Sequence, residues 1–130
     1  MMTARQTAVR YAGTFHGEAS QVGRVRAELR AWLGDCPRAD DAILIASELA
    51  ANAVLHSRSA GQSFTVRAEV GRDWVHLEVD DLGGPWLCRQ RDDRPHGLDL
   101  VSALAGEDWG VETSASGGCR VVWARVGFHG

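Results

Sequence analysis

The chain has 130 residues and a formal net charge of −3, so its overall charge offers no attraction to nucleic acid or to an anionic membrane. All 14 basic residues are arginine, which excludes the Walker-type phosphate loop and Schiff-base catalysis because both need a lysine. This length predicts a single domain, residues 1–130.

The cysteines and the lengths of the apolar runs indicate the cellular compartment in which the protein is found. Cys36, Cys88 and Cys119 are odd in number and far apart, without the C-x-x-C spacing of a zinc or redox site, which predicts a reducing environment. No apolar run approaches the roughly 20 residues that cross a bilayer, and the N-terminus lacks the apolar core of a signal peptide. We therefore expect a cytoplasmic protein with no membrane partner.

The first predicted elements are a strand and an amphipathic helix. Residues 1–6 should be a frayed end, and residues 7–15 alternate weakly between apolar and polar, as in an edge strand. Over residues 19–33, apolar side chains recur at steps of three and four, which predicts a helix with one apolar face. The Gly-Asp-Cys-Pro run at 34–37 should end this helix and start the next.

The second predicted helix, residues 41–57, carries an unusual polar stripe. The segment contains strong helix formers without Gly or Pro, and its apolar side chains go all the way round, which predicts a buried helix. Glu48, Asn52 and His56 interrupt this pattern at i, i+4 and i+8 and therefore share one stripe.

Two interpretations of the stripe are open. A single polar residue in such a helix is usually a hydrogen-bonded core group, and His56 could meet the last carbonyls of the helix. Three polar groups in register favour a site instead, because burying them without a use is costly. Asn52 could ligate a hard cation and Glu48 could accept a proton, which suits an ion-and-phosphate pocket.

Beyond a polar loop, the spacing of the apolar residues changes from the helical period to a period of two, in which apolar and polar residues alternate. Residues 64–70 and 74–80 predict two antiparallel strands with one apolar face. The second strand runs into the sequence Asp80-Asp81-Leu82-Gly83-Gly84-Pro85. Here acids lie at a strand end, and the glycines let the backbone come close to a ligand.

The remaining segments predict a lid, a short helix and a second hairpin. Residues 84–97, in which no period is visible, are long enough to be a functional lid or a disordered segment. Gly97 opens an apolar helix over residues 97–105, whose free N–H groups could receive phosphate, although ordinary helices also start at glycine. Residues 109–113 and 119–126 predict the hairpin.

This order of elements predicts an α+β fold, a two-layer sandwich with helices on one face of a mixed, mostly antiparallel sheet. A site would lie between the layers. The helix that carries Glu48 and Asn52, the loop at Asp81 and the end of the lid at Gly97 could converge there.

Four motifs resemble the histidine-kinase-like (GHKL) ATPases, which have the Bergerat fold. Residues 48–57, Glu-Leu-Ala-Ala-Asn-Ala-Val-Leu-His-Ser, resemble the N-box in the form carried by bacterial anti-sigma-factor serine/threonine kinases. Residues 81–83 resemble the first glycine box, and residues 96–101 with 104–110 resemble the second. Residues 117–123 are similar to the last strand of the family.

The resemblance covers about residues 8–126, the core of the single predicted domain, and implies a nucleotide site. Asn52 would hold the Mg²⁺ that bridges the phosphates of ATP. Asp81 would accept the amino group of adenine, which should favour ATP over GTP, and Gly83 would let the base lie against the backbone. Gly97, followed by Leu98, would open the phosphate-facing helix.

The resemblance also implies a kinase. Glu48 would act as the base toward a serine hydroxyl of an antagonist protein. In a chain without lysine, Arg89, Arg91 and Arg94 of the lid are the side-chain charges at hand for the γ-phosphate. Phosphoryl transfer mainly requires positioning and charge neutralisation, which these groups could supply.

Two departures from the family pattern concern catalysis. The second box usually has Gly-x-Gly, and Pro95 stands at its first position, where the missing N–H removes one phosphate contact. Cys119 lies near the place where many relatives have a hydroxyl residue facing the nucleotide. Both departures weaken the kinase hypothesis more than the hypothesis of nucleotide binding.

The sequence therefore leaves two functions open. The first is an ATP-dependent serine kinase that acts on an anti-sigma-factor antagonist and binds a sigma factor, and intact Glu48 and Asn52 favour it. The alternative is a non-catalytic nucleotide-binding or protein-binding regulator, which Pro95 favours. The catalytic half of a histidine kinase is disfavoured, since no phospho-acceptor helix precedes the domain. We expect no direct nucleic-acid partner, and a homodimer stays open.

Overall fold

Three helices and five strands make up the residues that this computed structural model describes, which are 9–56, 62–81, 97–113 and 119–128. The strands are β1 (Val9–His16), β2 (Ser63–Val70), β3 (Trp74–Asp81), β4 (Trp109–Thr113) and β5 (Arg120–Gly127). The helices are α1 (Ser20–Leu33), α2 (Ala39–His56) and α3 (Gly97–Ala105). Each corresponds to an element that the sequence predicts.

The sheet has the strand order β1-β2-β3-β5-β4, and its four described pairings are all antiparallel. β1 lies at an edge, as predicted. β3 and β4 run in the same direction, but β5 lies between them, so the described strands form no parallel pair. The predicted α+β fold is confirmed, with an antiparallel sheet where the sequence allowed a mixed one.

The core lies between the helices and one face of the sheet. Every second residue of the inner strands is buried, as their period of two predicts, and α1 adds a row at helical spacing. The buried apolar side chains of these elements are Val25, Leu29 and Leu33 (α1), Phe64, Val66 and Ala68 (β2), Val75, Leu77 and Val79 (β3), and Val122, Ala124 and Val126 (β5). Burial of each large one contributes about 1.5–3 kcal/mol relative to exposure.

Helix α2 lies at the centre of the helix layer, where it packs against α1, α3 and β3. Its buried apolar residues include Ile45, Ala46, Leu49, Ala50 and Ala53. Leu44 and Leu55, however, are 40% and 68% exposed. The expectation of a helix buried all round was therefore wrong on this face, because α1, α3 and the sheet surround α2 on three sides only.

Two simpler expectations concern the cysteines and a membrane. Within the described part of the chain, Cys36 and Cys119 form no disulfide, and burial raises the pKa of the Cys36 thiol. None of the three described helices is both long and apolar enough to cross a membrane. The cytoplasmic location stays a prediction.

Arg38, the residue before α2, connects the helix layer to the end of the sheet. Its φ of 59° lies in the left-handed region, which costs a non-glycine residue roughly 1–2 kcal/mol. Its guanidinium donates three hydrogen bonds, from Nε to Asp41 Oδ2 at 2.9 Å, from Nη1 to Gly127 O at 2.9 Å and from Nη2 to Leu104 O at 3.2 Å. One side chain thus joins α2 to the ends of α3 and β5.

Arg38→Ala should lower the free energy of unfolding by about 1–3 kcal/mol. The backbone carbonyls of Leu104 and Gly127 lose a charged hydrogen-bond donor, while the backbone at position 38 keeps its strained φ. Arg38→Gly should lower it less, since glycine adopts a positive φ without strain. Urea unfolding of the two variants and the wild type measures both differences. A glycine variant that is less stable than the alanine variant would contradict this account of the strain.

Candidate functional site

Asn52, near the end of α2, is more buried than Glu48 of the same predicted stripe. It is 7% exposed, and its amide nitrogen Nδ2 finds no hydrogen-bond partner among the residues that the structure describes. A buried donor without a partner costs about 1–3 kcal/mol. This cost argues against the interpretation of Asn52 as a hydrogen-bonded core group and fits a side chain that meets a ligand.

Glu48 lies one turn before Asn52 and is half-buried. At about 100° per residue, Glu48 falls close to the exposed stripe of Leu44 and Leu55, and Asn52 is turned about 40° further towards the interior. The Glu48 carboxylate therefore lies at the boundary between solvent and the buried amide. His56 is the last residue of α2, and its side chain lies outside the described part of the structure.

Asp81, the last residue of β3, is held by an arginine. The register of β3 and β5 places Asp81 opposite Arg120, and Arg120 Nη2 donates to Asp81 Oδ2 at 2.9 Å. The Asp81 side chain is 2% exposed and the Arg120 side chain is 0% exposed. Burial lowers the pKa of the Arg120 guanidinium, and the hydrogen bond and charge of Asp81 oppose that shift. The pair is a buried, charge-assisted contact at the end of the two central strands.

Arg120 is the site residue that sequence reasoning missed. The family pattern places Cys119 near the nucleotide, but Cys119 is exposed and its neighbour Arg120 is buried. A signal was present in the sequence. Val122, Ala124 and Val126 are the inward residues of β5, and Arg120 has the same phase in that period of two.

Helix α3 begins at Gly97, as predicted, and carries Asp99 in its first turn. The surroundings of Gly97 and Leu98 are not part of the described structure, so the contact of these residues with phosphate stays a prediction. Asp99 is exposed. Its negative charge lies near the positive pole of the helix and stabilises the helix there. The same charge would repel an incoming phosphate.

Other predicted site residues fall outside the described ranges. These are Gly83 of the first glycine box, Arg94 with the other lid arginines Arg89 and Arg91, and Pro95. The lid itself, apart from Gly97, falls there too. All of these stay predictions.

The elements that carry the remaining candidates adjoin one another. Helix α2, which bears Glu48 and Asn52, packs against both β3, which ends at Asp81, and α3, which begins at Gly97. These elements are therefore neighbours, and the convergence of a buried amide, a half-buried carboxylate, a buried ion pair and a helix N-terminus in one site stays a prediction. Such a set can bind an anion with a hard cation and accept a proton.

The donor set also bears on a metal. In the described ranges, no group of three or more His, Cys, Asp or Glu side chains is arranged to hold an ion. Mg²⁺ usually binds through one or two protein groups together with substrate phosphates and waters. The Asn52 amide could supply one oxygen ligand, and its nitrogen, which has no described partner, could donate to a phosphate oxygen. The residues present therefore fit a Mg²⁺ ion that a nucleotide largely holds.

Comparison with known proteins agrees with this arrangement. The family described as histidine kinase-like ATPase domain matches residues 15–121, a range that contains Glu48, Asn52, Asp81 and Arg120. No curated protein matches the chain. The matched family is an ATP-binding one, and helices packed on a five-stranded antiparallel sheet are consistent with its fold. The chain belongs to the histidine kinase-like ATPase domain family.

Proposed function

We propose that this protein is an ATP-dependent serine kinase that phosphorylates an anti-sigma-factor antagonist and binds a sigma factor. The observation that carries the proposal is a pair of side chains on α2. Asn52 is buried with no described partner for its amide nitrogen, and Glu48 is half-buried one turn away. The N–H of the Asn52 amide suits a phosphate oxygen, its amide oxygen could ligate the phosphate-bound cation, and Glu48 suits a proton acceptor; phosphoryl transfer to a hydroxyl group needs such groups.

In the proposed reaction, the serine hydroxyl of the antagonist gives its proton to Glu48 while its oxygen attacks the γ-phosphorus of ATP. The new bond joins the serine oxygen to the γ-phosphorus, and the bond from this phosphorus to the β–γ bridging oxygen breaks, so ADP leaves with that oxygen. Mg²⁺, held by Asn52 and the phosphates, would neutralise the charge on the phosphate oxygens. Asp81 would face the base, and the start of α3 would face the phosphates.

The surface around Glu48 supports a protein substrate. Leu44 and Leu55 lie on the same stripe of α2 as Glu48, and both are well exposed. Two exposed leucines on one helix face, with the half-buried Glu48 between them, form a surface that another protein could cover. A protein that covered this stripe would bring its own hydroxyl group close to the carboxylate.

The double variant Leu44→Ser with Leu55→Ser should raise the KM for the antagonist by about tenfold or more, because apolar anchors at an interface often contribute that much. ATP affinity should not change, since neither leucine is assigned to the nucleotide. Initial rates at varied antagonist concentration measure the effect. Val9→Ser is the matched control, because Val9 is also exposed but lies on β1. A wild-type KM in the double variant would exclude this surface.

The alternative, a non-catalytic regulator, is favoured by one observation. The Asp81 carboxylate is already engaged by Arg120, which weakens the base contact that the kinase needs and so favours a regulator that acts through protein binding. The two functions differ in one assay, the transfer of radiolabelled phosphate from ATP to candidate antagonists encoded by the same genome. Labelling of a serine supports the kinase. Binding of Mg-ATP and of a sigma factor without any labelling would replace the kinase by the regulator.

A further inference from the structure

We propose that Arg120 sets the base preference of the nucleotide site, so that the protein distinguishes ATP from GTP only weakly. The inference rests on the proposed function, in which Asp81 faces the base. It concerns the buried ion pair that the family resemblance did not foresee.

The ion pair is a fixed part of the sheet. Asp81 and Arg120 are cross-strand partners on β3 and β5, and the contact between Oδ2 and Nη2 is 2.9 Å. Both residues have the phase of the inward rows of their strands, so they lie on the face of the sheet that the helices cover. A base that reached Asp81 from this side would therefore meet a carboxylate and a guanidinium together.

The charge of the pair decides which bases are tolerated. A lone carboxylate attracts the 6-amino group of adenine and repels the 6-carbonyl oxygen of guanine, and this contrast is strong where water is excluded. With Arg120 within hydrogen-bond distance, the net charge at Asp81 is close to zero. A carboxylate has about four acceptor positions, so Asp81 can still accept from an amino group. The positive charge of Arg120 meanwhile offsets the repulsion of a carbonyl oxygen.

Stability alone gives a weaker account of Arg120. A buried ion pair is often no more stabilising than apolar residues of similar volume. The other inward residues of β5 are small and apolar, namely Val122, Ala124 and Val126. A fully buried arginine at the end of this row, against the acid assigned to the base, therefore points to a role in recognition.

Calorimetric titration with Mg-ATP and Mg-GTP tests the inference on the whole chain. We expect the wild-type affinities to lie within about tenfold of each other. Arg120→Thr, which leaves Asp81 a hydroxyl partner without charge, should raise the ATP preference at least about tenfold through weaker GTP binding. Arg125→Thr is the matched control on the outer face of the same strand and should keep the wild-type ratio.

The outcomes separate this inference from the proposed function. A wild-type preference for ATP well above about tenfold, or an unchanged ratio in folded Arg120→Thr, overturns the role of Arg120 and leaves ATP binding intact. If Arg120→Thr does not fold, the ratio of the wild-type affinities for ATP and GTP alone decides whether the inference stands. Failure of the wild type to bind either nucleotide overturns the proposed function and this inference with it.

Discussion

Asn52→Leu should abolish Mg²⁺-dependent ATP binding and yet leave the nucleotide-free protein at least as stable as the wild type. The variant removes the amide oxygen that the metal needs, and we expect ATP affinity to fall by more than about 100-fold. It also removes a buried nitrogen that has no described hydrogen-bond partner, so the free energy of unfolding should stay level or rise by about 1 kcal/mol. Gain of stability with loss of function is common at ligand sites.

Calorimetry with and without Mg²⁺ measures the affinity, and urea unfolding without nucleotide measures the stability, since a bound ligand would itself stabilise the folded state. Ser47→Ala is the control on the same helix. Ser47 is also buried, but its hydroxyl already donates to Leu44 O at 3.0 Å, so its loss should not affect ATP. A destabilised Asn52→Leu variant with wild-type ATP affinity would show that Asn52 is a core group.

Glu48→Gln should abolish detectable phosphate transfer while ATP still binds. Glutamine keeps the shape of the side chain but cannot accept the serine proton, and a general base typically contributes a factor of about 10²–10⁴ to the rate. Asn52 and Asp81 are unchanged in this variant, so ATP affinity should stay within about threefold of the wild type. Single-turnover transfer of labelled phosphate at saturating antagonist separates the chemical step from substrate binding.

Glu112→Gln is a suitable control for the loss of one carboxylate, because Glu112 is exposed on β4, away from α2. It should transfer phosphate at the wild-type rate. Labelling by Glu48→Gln as fast as by the wild type would remove Glu48 from the proton transfer. A parallel loss of ATP affinity would instead assign the carboxylate to nucleotide binding.

Local periodicity was sufficient to predict which elements form. The alternation in β2 and β3 and the three- and four-residue steps of α1 depend on neighbours within the same element, so the sequence contains all that is needed. Gly97 as the first residue of α3 was found in the same way. The polar stripe of α2 depended on spacing along one helix, which placed Glu48 one turn from the buried Asn52.

Contacts between distant elements could not be predicted in this way. Which strand lies beside β3, and in which register, depends on the whole sheet, so nothing local placed Arg120 opposite Asp81. The exposed face of α2 likewise depends on where α1 and α3 pack. Hydrophobicity alone assigned Leu44 and Leu55 to the interior, whereas the neighbours of α2 leave both exposed.

The strand order also has a consequence for the time course of folding. β5 follows β4 in the chain but lies between β3 and β4, and Asp81 and Arg120 are separated by 39 positions. Pairings over such separations form slowly, because the chain loses loop entropy before the contacts are gained. β4 has no described neighbour other than β5, so it joins the sheet only when β5 does. We therefore expect the docking of β5 on β3 to be one of the slow steps, and in it Asp81 leaves water and meets its counter-charge at the same moment.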